Sequence, residues 1–288
     1  MTYHAQINLI MLATVVGLVT FLYFKPQSED GREHAISSLA EEAVKSIRIV
    51  RHETEMVLKK SDNHWYLVKP LQAKVDKTKV TQILEILSVG SVQRFPLTDL
   101  DRFGLDKPNT QLYIDHEYFG FGGLAPITNE QYVATGKNIY LMSPRYAVML
   151  PSQPLDLIST KLLADEEMPV KFEFELFSVR QQAGNWNILS PKPGQVLTQD
   201  AINRWLRLWR QADATSLTFH PGDGLVGQTK IKIGLHDGQV INLKILQNES
   251  ELLFIREDTG IHYHFSVEMG KQLLSPKYVG VNQSLVDN

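Results

Sequence analysis

Two stretches of this chain repeat one another, and that repetition limits the possible folds more than any other feature. "NHWYLVKP" at residues 63–70 recurs as "GNWNILSPKP" at residues 184–193. Each stands in the same order of signals. Ile47, Ile49, Met56 and Leu58 alternate with polar residues ahead of Trp65 and Leu67, and Pro70 ends the run. In the second copy Phe172, Phe174, Leu176, Phe177 and Val179 precede Trp186 and Ile188, and Pro191 ends it. Alternation at a period of two predicts half-buried strands. Each group then leads into a helix. Asp76 is placed to cap one with Val80, Ile83, Leu84 and Leu87 on its apolar face, the i, i+3, i+4, i+7 spacing of an amphipathic helix. Thr198 caps the other, with Ile202, Trp205, Leu206 and Trp209 in the same phase. Cap and stripe are offset by 122 residues throughout. After each helix comes a Gly-Leu loop, "DRFGLDKP" with Gly104 and Leu105 and "HPGDGLVG" with Gly224 and Leu225. Strands "TQLYID" and "TKIKIGL" follow, then the hairpins "QYVATGKNIYLMS" and "FIREDTGIHYHFS".

The pattern predicts two tandem copies of a β-β-β-α-β-β-β-β unit, each with one main helix covering one face of an antiparallel sheet. That is an α+β architecture. A period above 100 residues implies tandem domains, not a solenoid. The expected organisation is an anchor at 1–24, a polar tether at 25–44, a first repeat at 45–151, a linker at 152–169, a second repeat at 170–280 and a tail at 281–288. Trp65 and Trp186 are expected as core residues between sheet and helix.

Residues 7–24, "INLIMLATVVGLVTFLYF", contain no charge. At ~1.5 Å per residue such a helix is roughly 27 Å long, about one hydrocarbon core. No Lys or Arg precedes it and no small-residue cleavage site follows, so an uncleaved single-span anchor is expected rather than a signal peptide. The flanking charges are nearly neutral as an orientation signal.

Composition excludes several function classes. With 43% hydrophobic and 21% charged residues the chain is globular. A net charge of −3 gives no electrostatic case for nucleic acid. The absence of cysteine rules out disulfides, thiolate metal sites and a Cys nucleophile.

"W-x-L-x-x-P", the capped helix, "RFGLDKP" and "YVATGKNIYLMS" together resemble a bacterial domain-of-unknown-function family of membrane-anchored proteins. The stretch Phe103 to Pro108 is its most specific part. The resemblance implies an N-terminal anchor, a duplicated extracytoplasmic domain and the company of gliding-motility-type ABC transporters or their auxiliary subunits. It supplies no catalytic residue and no cofactor. The second copy departs from it at "HPGDGLVG", which lacks the Phe and the Pro.

Other motifs weigh less. "FGFGG" at 119–123 lacks the helix and Lys-Ser/Thr of a phosphate loop and reads as a bulge or tight turn, with Phe119 and Phe121 on one sheet face. His262 and His264 share a strand face and could bind Zn²⁺ if His236, Asp237 or Glu251 supplied a third ligand. Residues 45–79 hold nine Lys or Arg against four Asp or Glu; this excess reads as a solvated sheet edge, with anionic headgroups as the alternative. Arg204, Arg207 and Arg210 lie opposite the apolar stripe of their helix. They read as its wet side, the alternative being contact with a partner's acidic surface.

The expected function is therefore a non-enzymatic accessory or scaffold subunit of an inner-membrane complex, with residues 7–24 in the bilayer and the body in the periplasm. Two alternatives are a lipid- or glycan-binding module, favoured by an unfilled apolar cavity beside Trp65 or Trp186, and a metal-dependent hydrolase using His262 and His264. Structure and interaction are expected to rest on Trp65, Trp186, Trp205, Trp209, Phe103, Gly104, Leu105 and Pro108.

Overall fold

A computed structural model describes residues 11–20, 33–189, 198–220 and 229–276. Pro191, the 221–228 loop with Gly224 and Leu225, the first part of the tether and the 281–288 tail lie outside these residues. Residues 11–20 form a helix, α1, with every side chain exposed. The expected span at 7–24 extends past the described residues at both ends. Among the described residues no helix is long and apolar enough to cross a membrane.

The body is α+β, built on antiparallel sheets. Its strands are β1 (His34–Ala35), β2 (Ser46–Arg51), β3 (Thr54–Ser61), β4 (His64–Lys69), β5 (Ala73–Lys74), β6 (Gly90–Ser91), β7 (Arg94–Pro96), β8 (Thr110–Ile114), β9 (Glu117–Leu124), β10 (Gln131–Thr135) and β11 (Asn138–Met142). Helix α2 (Lys77–Leu84) lies between β5 and β6, and α3 (Arg145–Val148) follows β11. A second series holds β12 (Pro169–Glu173), β13 (Ser178–Gln182), β14 (Asn185–Leu189), helix α4 (Gln199–Gln211), β15 (Ser216–Phe219), β16 (Thr229–Leu235), β17 (Val240–Gln247), β18 (Glu251–Arg256), β19 (Ile261–Ser266) and helix α5 (Val267–Leu274).

Among the described residues one sheet runs β5-β4-β3-β2-β8-β9-β10-β11-β7, and the other β14-β13-β12-β16-β17-β18-β19-β15. Apart from β5, the two orders correspond strand for strand. In each, a helix stands between β4 or β14, at or next to one edge, and a short strand, β7 or β15, at the opposite edge. These short strands are absent from the sequence expectation. Three or four residues are too few to establish a period of two. Helix α5 is a further addition; its apolar residues run on directly from β19, so the sequence carries no break between them.

Register explains the core. Ile47 pairs with Leu58 and Ile114, and Leu58 with Leu67, so one face is a continuous apolar row. Helix α2 lays Val80, Ile83 and Leu84 on this side, and Asp76 caps it by accepting from the Thr78 N–H at 2.8 Å. In the second sheet Phe172 pairs with Val179, and Val179 with Ile188. Trp205 and Trp209 of α4 cover that row, with ring centroids 5.0 and 5.2 Å from Phe172.

The segments expected to be plain connectors are part of this packing. Ile36 and Val44 are buried and β1 pairs with β6, so residues 33–44 belong to the body. In the 152–169 segment Leu157, Ile158, Leu162 and Leu163 are buried in an apolar cluster that runs through both halves. The Asp76 N–H also donates to the Leu157 carbonyl at 2.9 Å. Four large aliphatic side chains in one connector are too apolar to leave in water.

Candidate functional site

Helix α4 is held from three directions. The Thr198 hydroxyl accepts from the Ala201 N–H at 3.3 Å and fixes its start. The indoles of Trp205 and Trp209 enter the core and donate to the Leu273 carbonyl in the last turn of α5. Arg210 reaches back to the Asp165 carbonyl at 3.5 Å. The helix therefore presents its outer side, Asn203, Leu206, Arg207 and Arg210, in a fixed position.

Beneath that side lies the next row of the sheet. Gln181 pairs with Trp186, and Lys171 with Arg180, which puts Val170, Gln181 and Trp186 side by side across β12, β13 and β14. Helix α4 does not fill the space above them. A groove of about 330 Å³ results, floored by Val170, Gln181 and Trp186, walled by Leu206, Arg207 and Arg210, and closed at one end by Met168, Pro169 and His236. His236 and Met168 are joined through a backbone hydrogen bond of 2.9 Å. Among the described residues no carboxylate lines the groove. Trp65 in the first sheet is 7% exposed, with Leu71, Ala73 and Val75 buried around it. Trp186 is half-buried. Trp186 is thus less covered than Trp65 by the described residues; residues 193–197, which correspond to 71–75, lie outside them. The sequence places both tryptophans in the core, which holds for Trp65 and not for Trp186, and places Arg204, Arg207 and Arg210 on the wet side of their helix, where all three are exposed.

The remaining candidates resolve into structural roles. Phe103 ends a 3-10 turn, Leu100–Phe103, and Gly104 closes it at φ 67°. Phe103 packs against Phe95 and Tyr132, with centroids 5.8 and 4.8 Å away. Leu105 is buried with Ala134 and Ile139. The motif is a plug on the outer face of β9–β11. The "FGFGG" stretch explains its fit. It lies in β9, with Phe119 and Phe121 buried and the register irregular opposite Gln131 and Val133. A side chain at Gly122 would stand 2.4 Å from the Phe103 carbonyl oxygen. Two motifs read separately in the sequence are thus one contact. The Pro108 carbonyl accepts from the Gln111 amide at 3.4 Å.

His262 and His264 do not form a metal pair. His262 is buried and its ring stacks on His220 at 4.9 Å. Burial, with His220 and His264 nearby, pushes its pKa down. His264 is occupied at both nitrogens, by Glu251 at 2.9 Å and by the Thr218 hydroxyl at 2.8 Å. Its hydrogen bond holds the Glu251 carboxyl below the usual range. Among the described residues no three His, Asp or Glu side chains are grouped to hold a metal.

Part of the basic stretch at 45–79 is engaged. Arg48 lies 3.6 Å from the Tyr113 ring centroid and 3.6 Å from Glu55, Lys69 lies 3.5 Å from Glu55, and Lys74 contacts Glu166. Arg51 donates to the Leu150 carbonyl at 2.9 Å. Arg207 has no such partner among the described residues, and Arg210 meets no carboxylate there.

The model of a family described as a domain of unknown function, DUF4340, matches residues 65–218. The match begins at Trp65, crosses the connector and α4, and ends in β15, so it includes the groove residues other than His236. No curated protein and no solved structure matches the chain.

Proposed function

We propose, for a chain that belongs to the DUF4340 family of domains of unknown function, a non-enzymatic accessory role at the inner membrane. Residues 7–24 cross the bilayer once. The body stands on the periplasmic side, where it docks with a membrane complex of the ABC-transporter-associated kind.

One observation carries this reading. In α1 the six large apolar side chains Met11, Leu12, Val15, Val16, Leu18 and Val19 are each 54–64% exposed. A helix apolar on every side has no wet face. In water its exposure costs ~25 cal/mol for each Å² of apolar surface, and lipid removes that cost. An anchor also confines the body to the membrane surface and raises its effective concentration near a membrane partner.

Membrane fractionation tests the proposal. The full chain is expected to stay in the membrane pellet through an alkaline carbonate wash and to leave it only with detergent. A version lacking residues 1–24 is expected in the soluble fraction. Protease added to spheroplasts is expected to digest the body, and co-purification in mild detergent to recover it with other membrane proteins. Release of the full chain by carbonate would overturn the anchor, protection from protease the orientation, and recovery only as a free monomer the accessory role.

A further inference from the structure

We infer that the first half rests on the bilayer through the tip of the β9–β10 hairpin, which places Ile127 and Leu124 in the lipid surface. The inference rests on the anchor reading of residues 7–24 and names the face of the body that meets lipid.

Exposure is the first reason. The two most exposed large apolar side chains among the described residues are Ile127 at 94% and Val148 at 76%. One such side chain in water needs no explanation. These two, with Leu124 at 56%, share one end of the first sheet. Leu124 pairs with Gln131, and Gln131 with Met142, so the hairpin tip and the end of β11 are level. Helix α3 follows Met142, and the Leu150 carbonyl just past it accepts from Arg51, the last residue of β2. Arg51 pairs with Thr110, and Thr110 with Phe121 in the second half of β9. The opposite end carries the turns Asp62–Asn63, Asp115–His116 and Gly136–Lys137, which hold no large apolar side chain.

The tip is a fixed structure. The Ala125 N–H donates to the Glu130 carbonyl at 2.7 Å, and the Asn129 N–H to the Ala125 carbonyl at 2.9 Å. Ala125 is buried, and the Gln131 amide donates to the Gly122 carbonyl at 3.0 Å. These bonds hold Pro126 and Ile127 outward. Residues 122–129 carry no charge, so what they meet is apolar and not an ionic partner.

The path of the chain says what lies there. The body begins at β1, where His34 pairs with Ser91, and the Ser91 hydroxyl donates to the Leu141 carbonyl at 2.8 Å, beside Met142. The anchor thus joins the body at the end that carries Ile127 and Val148. Nine peptide steps separate Phe24 from Glu33, and they can span no more than roughly 30 Å. A strand of eight residues such as β9 is itself roughly 25 Å long. Standing the body on its opposite end would take nearly all of that reach. The bilayer is therefore the apolar phase nearest the tip, and an isoleucine and a leucine on a fixed turn are stabilised by entering its headgroup–acyl boundary.

The test exploits the absence of cysteine, because a single introduced thiol can carry an environment-sensitive nitrobenzoxadiazole label. Full-length Ile127→Cys and Lys137→Cys are labelled and reconstituted in phosphatidylcholine nanodiscs. Both sites are exposed, so neither substitution disturbs the core. The label at position 127 is expected to emit further to the blue and to be quenched about fivefold more by 5-doxyl phosphatidylcholine than the label at position 137. Added salt is expected to leave that difference unchanged, since no charge pair holds the tip. Equal quenching at the two positions, with the chain seated in the nanodiscs, would overturn the proposal and leave the anchor standing. A label at 127 that stays in water in lipid alone and is shielded only in native membrane vesicles would also overturn it, and would make the tip a protein-docking site. Failure of the full chain to enter nanodiscs at all would overturn the anchor, and this inference with it.

Discussion

Trp205 and Trp209, one helical turn apart on α4, donate their indole N–H groups to the same acceptor, the carbonyl of Leu273, at 2.9 and 3.0 Å. Leu273 lies in the last turn of α5, where carbonyls lack a helical partner. The two indoles supply what the helix end lacks and tie α4 to α5. This arrangement is energetically coupled. Trp205→Phe or Trp209→Phe each removes one donor and some volume, for about 2 kcal/mol. Each single variant leaves the carbonyl one partner, and the double leaves it none among the described residues. The double variant is expected to cost about 1 kcal/mol more than the sum, the penalty of an unsatisfied buried acceptor. Urea unfolding of the four proteins measures this. Strict additivity would show that the shared carbonyl carries no special weight.

Neighbouring glycines in β9 are expected to behave differently. At Gly122 an added Cβ would stand 2.4 Å from the Phe103 carbonyl oxygen, a backbone atom that cannot swing aside. At Gly123 the same atom would be 3.6 Å away, an ordinary contact. Gly122→Ala is expected to cost about 3 kcal/mol by forcing the Phe103–Leu105 plug off the sheet. Gly123→Ala is expected to change stability by less than about 1 kcal/mol. Comparison of their thermal midpoints decides the matter. Equal midpoints would mean that the plug is not seated on β9.

Arg256 holds the connector against the second sheet. It is 8% exposed, takes Glu167 through bonds of 2.9 and 2.9 Å, reaches Asp258 at 2.7 Å and donates to the Leu162 carbonyl at 3.0 Å. Burial works against the guanidinium charge, but the bonds from Asp258 and Glu167 outweigh it and raise its pKa further. Removing one member of a buried pair strands the other. Glu167→Ala is expected to cost about 3 kcal/mol. Limited proteolysis is expected to cut near residues 160–168 sooner in that variant. An unchanged cleavage pattern would separate Arg256 from the connector's order.

The sequence made the strands, caps and helix phases of both halves visible because they depend on local rules. Asp76 and Thr198 cap where a short acceptor precedes an amphipathic run, and the Phe172–Val179–Ile188 row follows from alternation. The rest depends on contacts between distant segments. That Gly122 exists to admit Phe103 is invisible until β9 and the 100–105 turn are brought together. That residues 152–169 are core follows from Leu162 and Leu163 finding the second sheet. The groove was legible only in part. Alternation put Trp186 on the helix-facing side, but as core like Trp65; its partial exposure depends on what lies above it, which no local rule states.

His262 makes stability depend on pH in a defined direction. Its ring is buried against His220, with His264 close by on the same face, itself bonded to Glu251 and Thr218. Burial first, then those two imidazoles, lowers its pKa below the ordinary 6.5. Between the unfolded and folded values the unfolded chain binds more protons, so stability rises with pH there. The contribution is complete above pH 6.5 and is lost as pH falls below it, at up to about 1.4 kcal/mol per pH unit. The Glu251 carboxyl, held down by its bond to His264, acts in the same direction only in more acidic solution, below its ordinary 4.5. The two effects therefore separate along the pH axis. His262→Phe keeps a flat ring against His220 and removes the titration. Urea midpoints at pH 7.5, 6.5 and 5.5 are expected to fall across the last step in the unaltered protein and to fall less in His262→Phe. Parallel pH profiles for the two proteins would assign the acid sensitivity to another group.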